Sequence, residues 1–235
     1  MTYLSAISFL NKVHGFPDLA SSFIITKFMA GIRNSSPTSR RLQPITKNVL
    51  QALLNNVPFT VTQDYDKALL SAMYSLMYHA CLRIGEVAKS GHTQNTLTIR
   101  QVLLGPSHQT LTIQFLKYKH SQGKTPSLTF NALTEPYCPV ALVRQYLTYR
   151  GMAQGPLFVH SDGTTVCREW FTRLLKVNLA LAGLDTRVFN THSFRIGRCT
   201  QLVLDKYPDS YIQKLGRWSS TAYRKYVRPS TLYFS

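Results

Sequence analysis

The sequence predicts a mainly α-helical protein carrying one small antiparallel sheet of three strands, an α+β arrangement. Three observations predict it. Apolar residues recur at helical spacing over most of the 235 residues, as at Leu69, Leu70, Met73, Leu76, Met77 and Ala80. Alternation of period two marks a different stretch, where Leu111, Ile113 and Phe115 form a strand between two further strand-like runs. Hydrophobic residues make up 44% of the chain, enough for a core and too many for a disordered tail.

Taken in order, Tyr3 to Val13 and Ser22 to Ile32 read as two helices parted by a Gly15-Phe16-Pro17-Asp18 turn. The first carries Leu4, Ile7 and Leu10, the second Phe23, Ile24 and Phe28. Two helices bury little by themselves, so residues 1–34 read as the end of a helical module whose beginning is missing. Residues 35–43 read as a linker, polar and helix-breaking, whose adjacent Arg40 and Arg41 suit a phosphate backbone or simply a solvated loop. The main domain is expected over 44–235. Pro44-Ile45-Thr46 opens a helix to about Leu54, with Thr46 as N-cap. Asp64 is expected to cap the next helix, whose broad apolar face runs to Leu82-Arg83-Ile84-Gly85-Glu86. Strands are expected over Leu97 to Leu104, Leu111 to Lys117 and Ser127 to Phe130. Gly105-Pro106-Ser107 and His120-Ser121-Gln122-Gly123 supply their turns. Helices complete the chain: Val140 to Arg150, Cys167 to Leu181, His192 to Leu204, Ser210 to Leu215, and a short one reaching Tyr226. Pro208 and Gly216 break this region up.

Charge is the strongest compositional signal. Against 10 Asp+Glu stand 27 Lys+Arg, a formal net charge of +17. Such a surface attracts polyanions, because neutralising phosphates releases counterions. Nucleic acid is the expected partner, although a ribosomal protein would show the same balance. No separate basic amphipathic helix points to a membrane surface. Cys81, Cys138, Cys167 and Cys199 form no C-x-x-C pair, which argues against a metal site or a disulfide framework. They read as reduced thiols of an intracellular protein. No signal peptide opens the sequence, and its longest apolar run, Leu69 to Ala80, is interrupted by Ser, Tyr and His.

The residues that could carry chemistry gather near the C-terminus, in Thr191-His192-Ser193-Phe194-Arg195, Leu215-Gly216-Arg217-Trp218 and Tyr226-Val227-Arg228. His192 and Arg195 lie three apart on a helix and so share a face. Thr191 can cap that helix, whose free N–H groups favour an anion. A Trp N–H donates and a Tyr hydroxyl is a potential nucleophile, so Arg, His, Trp and Tyr together suit a phosphodiester. Upstream, Arg83 beside Glu86 is either a guanidinium held in one orientation for a phosphate or a structural ion pair. Lys119, at the second hairpin tip, can bring a proton to a leaving oxygen. Lys117 and Lys124 compete for that role, and hairpin-tip lysines are often just solvated. Tyr223 rivals Tyr226 as nucleophile from three residues away; the Tyr-Val-Arg context and the distance from Gly216 favour Tyr226.

In this order and spacing, Leu82-Arg83-Ile84-Gly85-Glu86, Lys119, His192-x-x-Arg195, Leu215-Gly216-Arg217-Trp218 and Tyr226-Val227-Arg228 resemble the signature of the tyrosine recombinase (phage integrase) family. The resemblance covers about Pro44 to Pro229. The ending Gly-Arg-Trp-Ser-Ser…Tyr-Val-Arg-Pro is most similar to integrases of eukaryotic DIRS- and Ngaro-like or Crypton elements, which implies a nuclear protein. The resemblance also implies the catalytic-domain fold of that family over 44–235, preceded by remnant core-binding helices. Its activity would be cleavage and rejoining of double-stranded DNA through a 3′-phosphotyrosine, with no cofactor and no metal. Arg83 and Arg195 would clamp the scissile phosphate, Tyr226 attack it, and Lys119 protonate the leaving 5′-oxygen. His192 would assist proton transfer at the tyrosine, Trp218 steady the phosphate, and Glu86 orient His192 or Arg83. Arg40, Arg41, Lys117, Lys124, Arg217 and Arg228 are expected against DNA, with a homotetramer acting on two duplexes. Two departures stand out: the family's core-binding domain is represented by two helices, and Trp218 occupies a position often held by a second His. A binding-only descendant of such an enzyme, or a type IB topoisomerase-like activity, are the alternatives.

Overall fold

Two units, Met1–Arg41 and Leu42–Ser235, divide the chain in the computed structural model, which describes residues 3–35, 41–89, 91, 95–115 and 127–228. The first unit holds α1 (Tyr3–Val13), a single 3-10 turn at Leu19–Ser21 and α2 (Phe23–Ser35). Asp18 caps the turn by accepting from the Ala20 N–H at 3.1 Å, and it pairs with Lys12 at 3.1 Å. None of the residues of α1 is buried, and Phe9, Leu10, Phe23, Ile24 and Phe28 stand exposed. Among its described residues this unit has amphipathic helices but no buried core.

The larger unit is organised around one helix. α3 (Lys47–Thr60) leads into α4 (Asp64–His79), in which Ala68 to Leu70 and Ala72 to His79 are all buried. A helix apolar around most of its circumference must be surrounded, and α4 packs against α3, α6 (Pro139–Arg150) and α8 (Ser193–Leu204). α7 (Arg168–Leu181) completes that layer beside α3. Tyr74 sits edge-on to Phe171 at 5.5 Å and stacked on Phe194 at 5.8 Å, so α4, α7 and α8 share an aromatic centre. Its buried hydroxyl accepts from the Asn178 side chain at 3.2 Å, which spares an unpaired polar group in the core. The small sheet has the order β1 (Val102–Leu104), β2 (Thr110–Gln114), β3 (Ser127–Asn131), all antiparallel, with Ile113 opposite Val102 and Leu128. Leu111, Ile113 and Leu128 point into the core, as the alternation requires. The fold class is therefore the one expected.

Several local expectations are corrected. Thr46 does cap α3, accepting from the Val49 N–H at 3.1 Å, but the helix continues past Leu54 to Thr60 and carries Pro58 in its last turn. Val57, buried to 1% exposure, holds that last turn to the core. Asp64 is not the cap of α4: Gln63 occupies that position without a side-chain bond, and Asp64 accepts from Lys67 instead. α4 stops at His79 because Cys81 turns left-handed at φ 47°, and Arg83 then starts a separate short helix, α5 (Ile84–Val87). Of the first expected strand, only Val102–Leu104 joins the sheet, while Thr98 makes an isolated antiparallel bridge to Pro156. Ahead of Val102, Gln101 folds back to accept from the Thr98 N–H at 3.0 Å and closes a 3-10 turn. The second hairpin turn, with Lys117, Lys119 and Lys124, lies outside the described residues, as does Arg40. The final helix, Thr221–Tyr226, is 3-10 rather than α.

His79 gives this core an acid sensitivity. It is buried at the end of α4 between Tyr78 and Tyr137, and burial, reinforced by Arg198, pushes its pKa down to about 3. Because the folded value lies below the unfolded one, stability is whole above about pH 6.5 and is lost as the pH falls toward 3. The total is about 3–5 kcal/mol by linkage. Melting temperatures between pH 7.5 and 4 should fall steeply for the parent and much less for His79→Phe. Equal slopes would remove His79 as the cause.

Candidate active site

Gly216 and Arg217 decide where the aromatic groups of the site stand. α9 (Asp209–Gly216) ends with Arg217 in the left-handed conformation, φ 57° and ψ 46°, and the Trp218 N–H bonds back to the Gln213 carbonyl at 2.9 Å. That reversal folds the indole onto Gly216, where a Cβ would lie 1.7 Å from the ring. Only a glycine leaves room. A short turn later the 3-10 helix Thr221–Tyr226 brings the Tyr226 ring to 5.3 Å from Trp218 and 6.3 Å from His192, centroid to centroid. Thr200 of α8 pins this segment: its hydroxyl lies 3.3 Å from the Tyr226 carbonyl and accepts from the Arg228 N–H at 2.9 Å.

Beneath the two rings lies Arg195, the largest fully buried side chain among the described residues. Its guanidinium is 4.6 Å from the Trp218 ring and 5.5 Å from the Tyr226 ring. Nη1 donates to the Cys81 carbonyl and Nη2 to the Gly216 carbonyl at 3.1 Å, while Nε finds no partner among the described residues. A cation held by neutral carbonyls and two π-faces, with no carboxylate among its hydrogen-bond partners, is an arrangement that favours an anion.

His192 is displaced from the expected geometry. It is itself the N-cap residue of α8, while Thr191 makes no cap; the Asn190 side chain accepts from the His192 N–H at 2.7 Å instead. His192 reaches the surface, whereas Arg195 is buried, so the two converge on Tyr226 from different depths rather than from one exposed face. Partial burial, then the charges of Arg195, Arg83 and Arg168, lower the His192 pKa below the ordinary histidine value. The lowering favours the neutral form, the one that accepts a proton. Arg168, at the start of α7, escaped the sequence reading because no motif marks it; only the packing of α7 brings its charge to bear on His192.

Arg83 is half-exposed at the start of α5, and its Nη1 lies 3.8 Å from Glu86. Glu86 does not orient His192. Its Oε2 accepts from the Arg83 backbone N–H at 2.6 Å and from Arg217 Nη2 at 2.7 Å. Arg217 was expected against DNA, yet its side chain is 2% exposed, and it also donates to the Ala80, Cys81 and Leu215 carbonyls and lies 4.2 Å from the Phe115 ring. It turns inward because the left-handed backbone points it back over the helix end and Glu86 neutralises it there. Arg228 bends back to donate to the Lys225 and Val227 carbonyls at 2.8 Å, and Arg41 is exposed. Tyr223 also lies beside Trp218, its ring centroid 6.1 Å away, but it is buried, and the Asp209 carboxylate raises its pKa, whereas Tyr226 stands over Arg195. Among the described residues, no group of three or more His, Cys, Asp or Glu could hold a metal ion. No described helix is long and apolar enough to cross a membrane.

Helices packed around a three-stranded antiparallel sheet make the catalytic-domain fold of tyrosine recombinases. Residues 43–231 match the phage integrase family, and the chain belongs to that family. The XerH site-specific recombinase bound to a palindromic difH substrate, in a post-cleavage complex, superposes with a TM-score of 0.61 at 16% identity, over 82% of this chain and 51% of that one. XerH bound to difH before cleavage gives a TM-score of 0.59 at 18% identity, over 79% and 50%. The XerA recombinase gives 0.58 at 15% identity, over 97% of this chain and 78% of its own. The chain thus spans about half the length of the XerH chains. No curated protein matches it.

Proposed function

We propose that this protein cleaves and rejoins DNA strands as a site-specific tyrosine recombinase, with Tyr226 as nucleophile. The observation that carries the reading is the buried Arg195 guanidinium, lodged under Trp218 and Tyr226 with only neutral carbonyls as its hydrogen-bond partners. Arg195 and Arg83 hold the non-bridging oxygens of the scissile phosphate and offset the charge that develops on them. The Tyr226 hydroxyl oxygen forms a bond to phosphorus as the bond to the 5′-oxygen breaks, and neutral His192 takes the phenolic proton. Lys119 returns a proton to the 5′-oxygen. The phosphotyrosine conserves the diester, so attack by a 5′-hydroxyl reseals the strand with no external energy source. The excess of 27 basic over 10 acidic residues draws the duplex in, with Arg40, Arg41, Lys117, Lys124 and Arg228 as its contacts. The XerH recombinase, caught with difH DNA before and after cleavage, supports a DNA substrate. The integrase-like ending supports a mobile-element enzyme acting in the nucleus as a tetramer, with residues 1–34 contributing to a core-binding domain and 44–235 to the catalytic one.

The test uses nicked duplexes with a randomised core, which let the small 5′ fragment diffuse away after cleavage. With the parent protein and no added metal, a protein–DNA adduct that survives denaturation is expected, and sequencing the trapped DNA reads out the site. Tyr226→Phe should form none, and Tyr223→Phe should form as much as the parent. Retarded DNA on a native gel without any adduct would replace this reading with that of a binding-only descendant. An adduct in Tyr226→Phe would move the nucleophile.

A further inference from the structure

Three residues of the site carry unusual backbone or burial: Cys81 and Arg217 are left-handed without being glycine, and Arg195 is buried without a carboxylate among its hydrogen-bond partners. They meet at one atom. The Cys81 carbonyl oxygen accepts from Arg195 Nη1 and from Arg217 Nη2, the latter at 3.3 Å. Arg217 then carries the connection onward, through Glu86 Oε2 at 2.7 Å, to the backbone N–H of Arg83, which bonds the same oxygen at 2.6 Å. Its remaining bonds reach Ala80 and Leu215, so one buried guanidinium joins the end of α4, just before Arg83, to the end of α9, just before Trp218. Its face lies on Phe115, beyond β2 and four residues before Lys119 in sequence.

We propose that Arg217 is a positioning residue that, through the Cys81 carbonyl and the Glu86 carboxylate, sets where Arg195 and Arg83 meet the scissile phosphate. The inference rests on the recombinase reading above. It assigns Arg217 no contact with DNA. Two features support a role beyond filling the core. A left-handed arginine at a helix C-terminus stands where glycine would be the less strained residue. A planar fork can hold a carbonyl and a carboxylate oxygen at once, which a lysine ammonium cannot do in fixed geometry. Loss of Arg217 leaves Arg195 its bonds to Cys81 and Gly216 but frees the Cys81 turn and Glu86 to shift, and small displacements of a charge clamp are costly in rate.

Arg217→Gly is the informative variant, because glycine suits the left-handed backbone, so the loss measured is that of the side chain and not of backbone strain. Arg217→Lys and Glu86→Gln serve beside it should the glycine variant fold poorly. Adduct formation is timed on the site recovered from the randomised pool, with the scissile phosphate either ordinary or a methylphosphonate, which is neutral and needs less of the clamp. Arg217→Gly is expected to react about 50-fold more slowly on the ordinary phosphate, as for a misplacement of catalytic groups by a fraction of an ångström to an ångström. The defect should shrink severalfold on the methylphosphonate. Duplex affinity should keep the parent's salt dependence, whereas a lost phosphate contact would lower that slope by about 1. Arg217→Lys and Glu86→Gln should show the same pattern in weaker form. Equal slowing on both substrates, no slowing, or a reduced salt slope would overturn the proposal while leaving the recombinase reading intact. A parent protein that forms no adduct would overturn that reading, and this inference with it.

Discussion

Arg195→Gln should abolish adduct formation while leaving the protein at least as stable as the parent. Removing one preorganised charge donor from a transition state costs on the order of 10²–10³ in rate, and Arg195 also orders the two rings above it. The stability half of the expectation follows from burial. Arg195 is 0% exposed and its hydrogen bonds go to neutral carbonyls, so the folded chain carries a desolvated charge that none of them neutralises. A neutral amide is shorter and gives up the bonds to the two carbonyls, one of which Arg217 still serves, but it removes the larger cost of burying the charge. Residues kept for activity at the expense of stability behave in this way. Adduct assays and thermal melts on the same preparations check both halves. A melting temperature well below the parent's would mean that Arg195 is chiefly a structural pin.

The second large effect is expected at Gly197, far less conspicuous in the sequence. α8 passes so close to the segment entering α3 that a Cβ at position 197 would lie 1.8 Å from the Ile45 carbonyl oxygen and 2.6 Å from its carbon. Both are backbone atoms, and the Ile45 N–H is tied to the Ser193 carbonyl at 3.0 Å, so neither side can yield by a rotamer change. Gly197→Ala should therefore destabilise by about 3 kcal/mol, in the upper range for overpacking a core. Chemical denaturation measures it directly; a change under about 1 kcal/mol would show that α8 can move away from the Ile45 segment without penalty. Because Ser193, Arg195 and Thr200 lie on the same helix, a shift there should slow adduct formation as well.

The helices and the sheet were legible because their signals are local. α4 announces itself by its apolar face, β2 by alternation, and Thr46 by its cap. The misread boundaries fall where a tertiary contact outweighs local preference. Val57 draws α3 through Pro58, and Gln101 folds back on Thr98 where a strand pattern runs on. His192, Arg195, Trp218 and Tyr226 could be picked out because their types and order are informative and two helix turns and a 3-10 turn suffice to bring them together. Arg217 and Glu86 could be named but not placed. In sequence, an arginine between glycine and tryptophan on a strongly basic chain looks like a phosphate contact, and nothing nearby in the chain reveals a carboxylate 131 residues away.

What the sequence by itself determined is the element content, the appetite for polyanions and the set of groups able to act on a phosphodiester. All three follow from periodicity, net charge and side-chain chemistry, which are properties of single residues and near neighbours. Only the tertiary structure decided which arginine is buried under the aromatic rings and which is spent holding the site together. It also separated Tyr223, which is buried, from Tyr226, which stands over Arg195. Burial and long-range pairing make those distinctions, because a charge acquires its meaning from the dielectric and the partners that folding places around it.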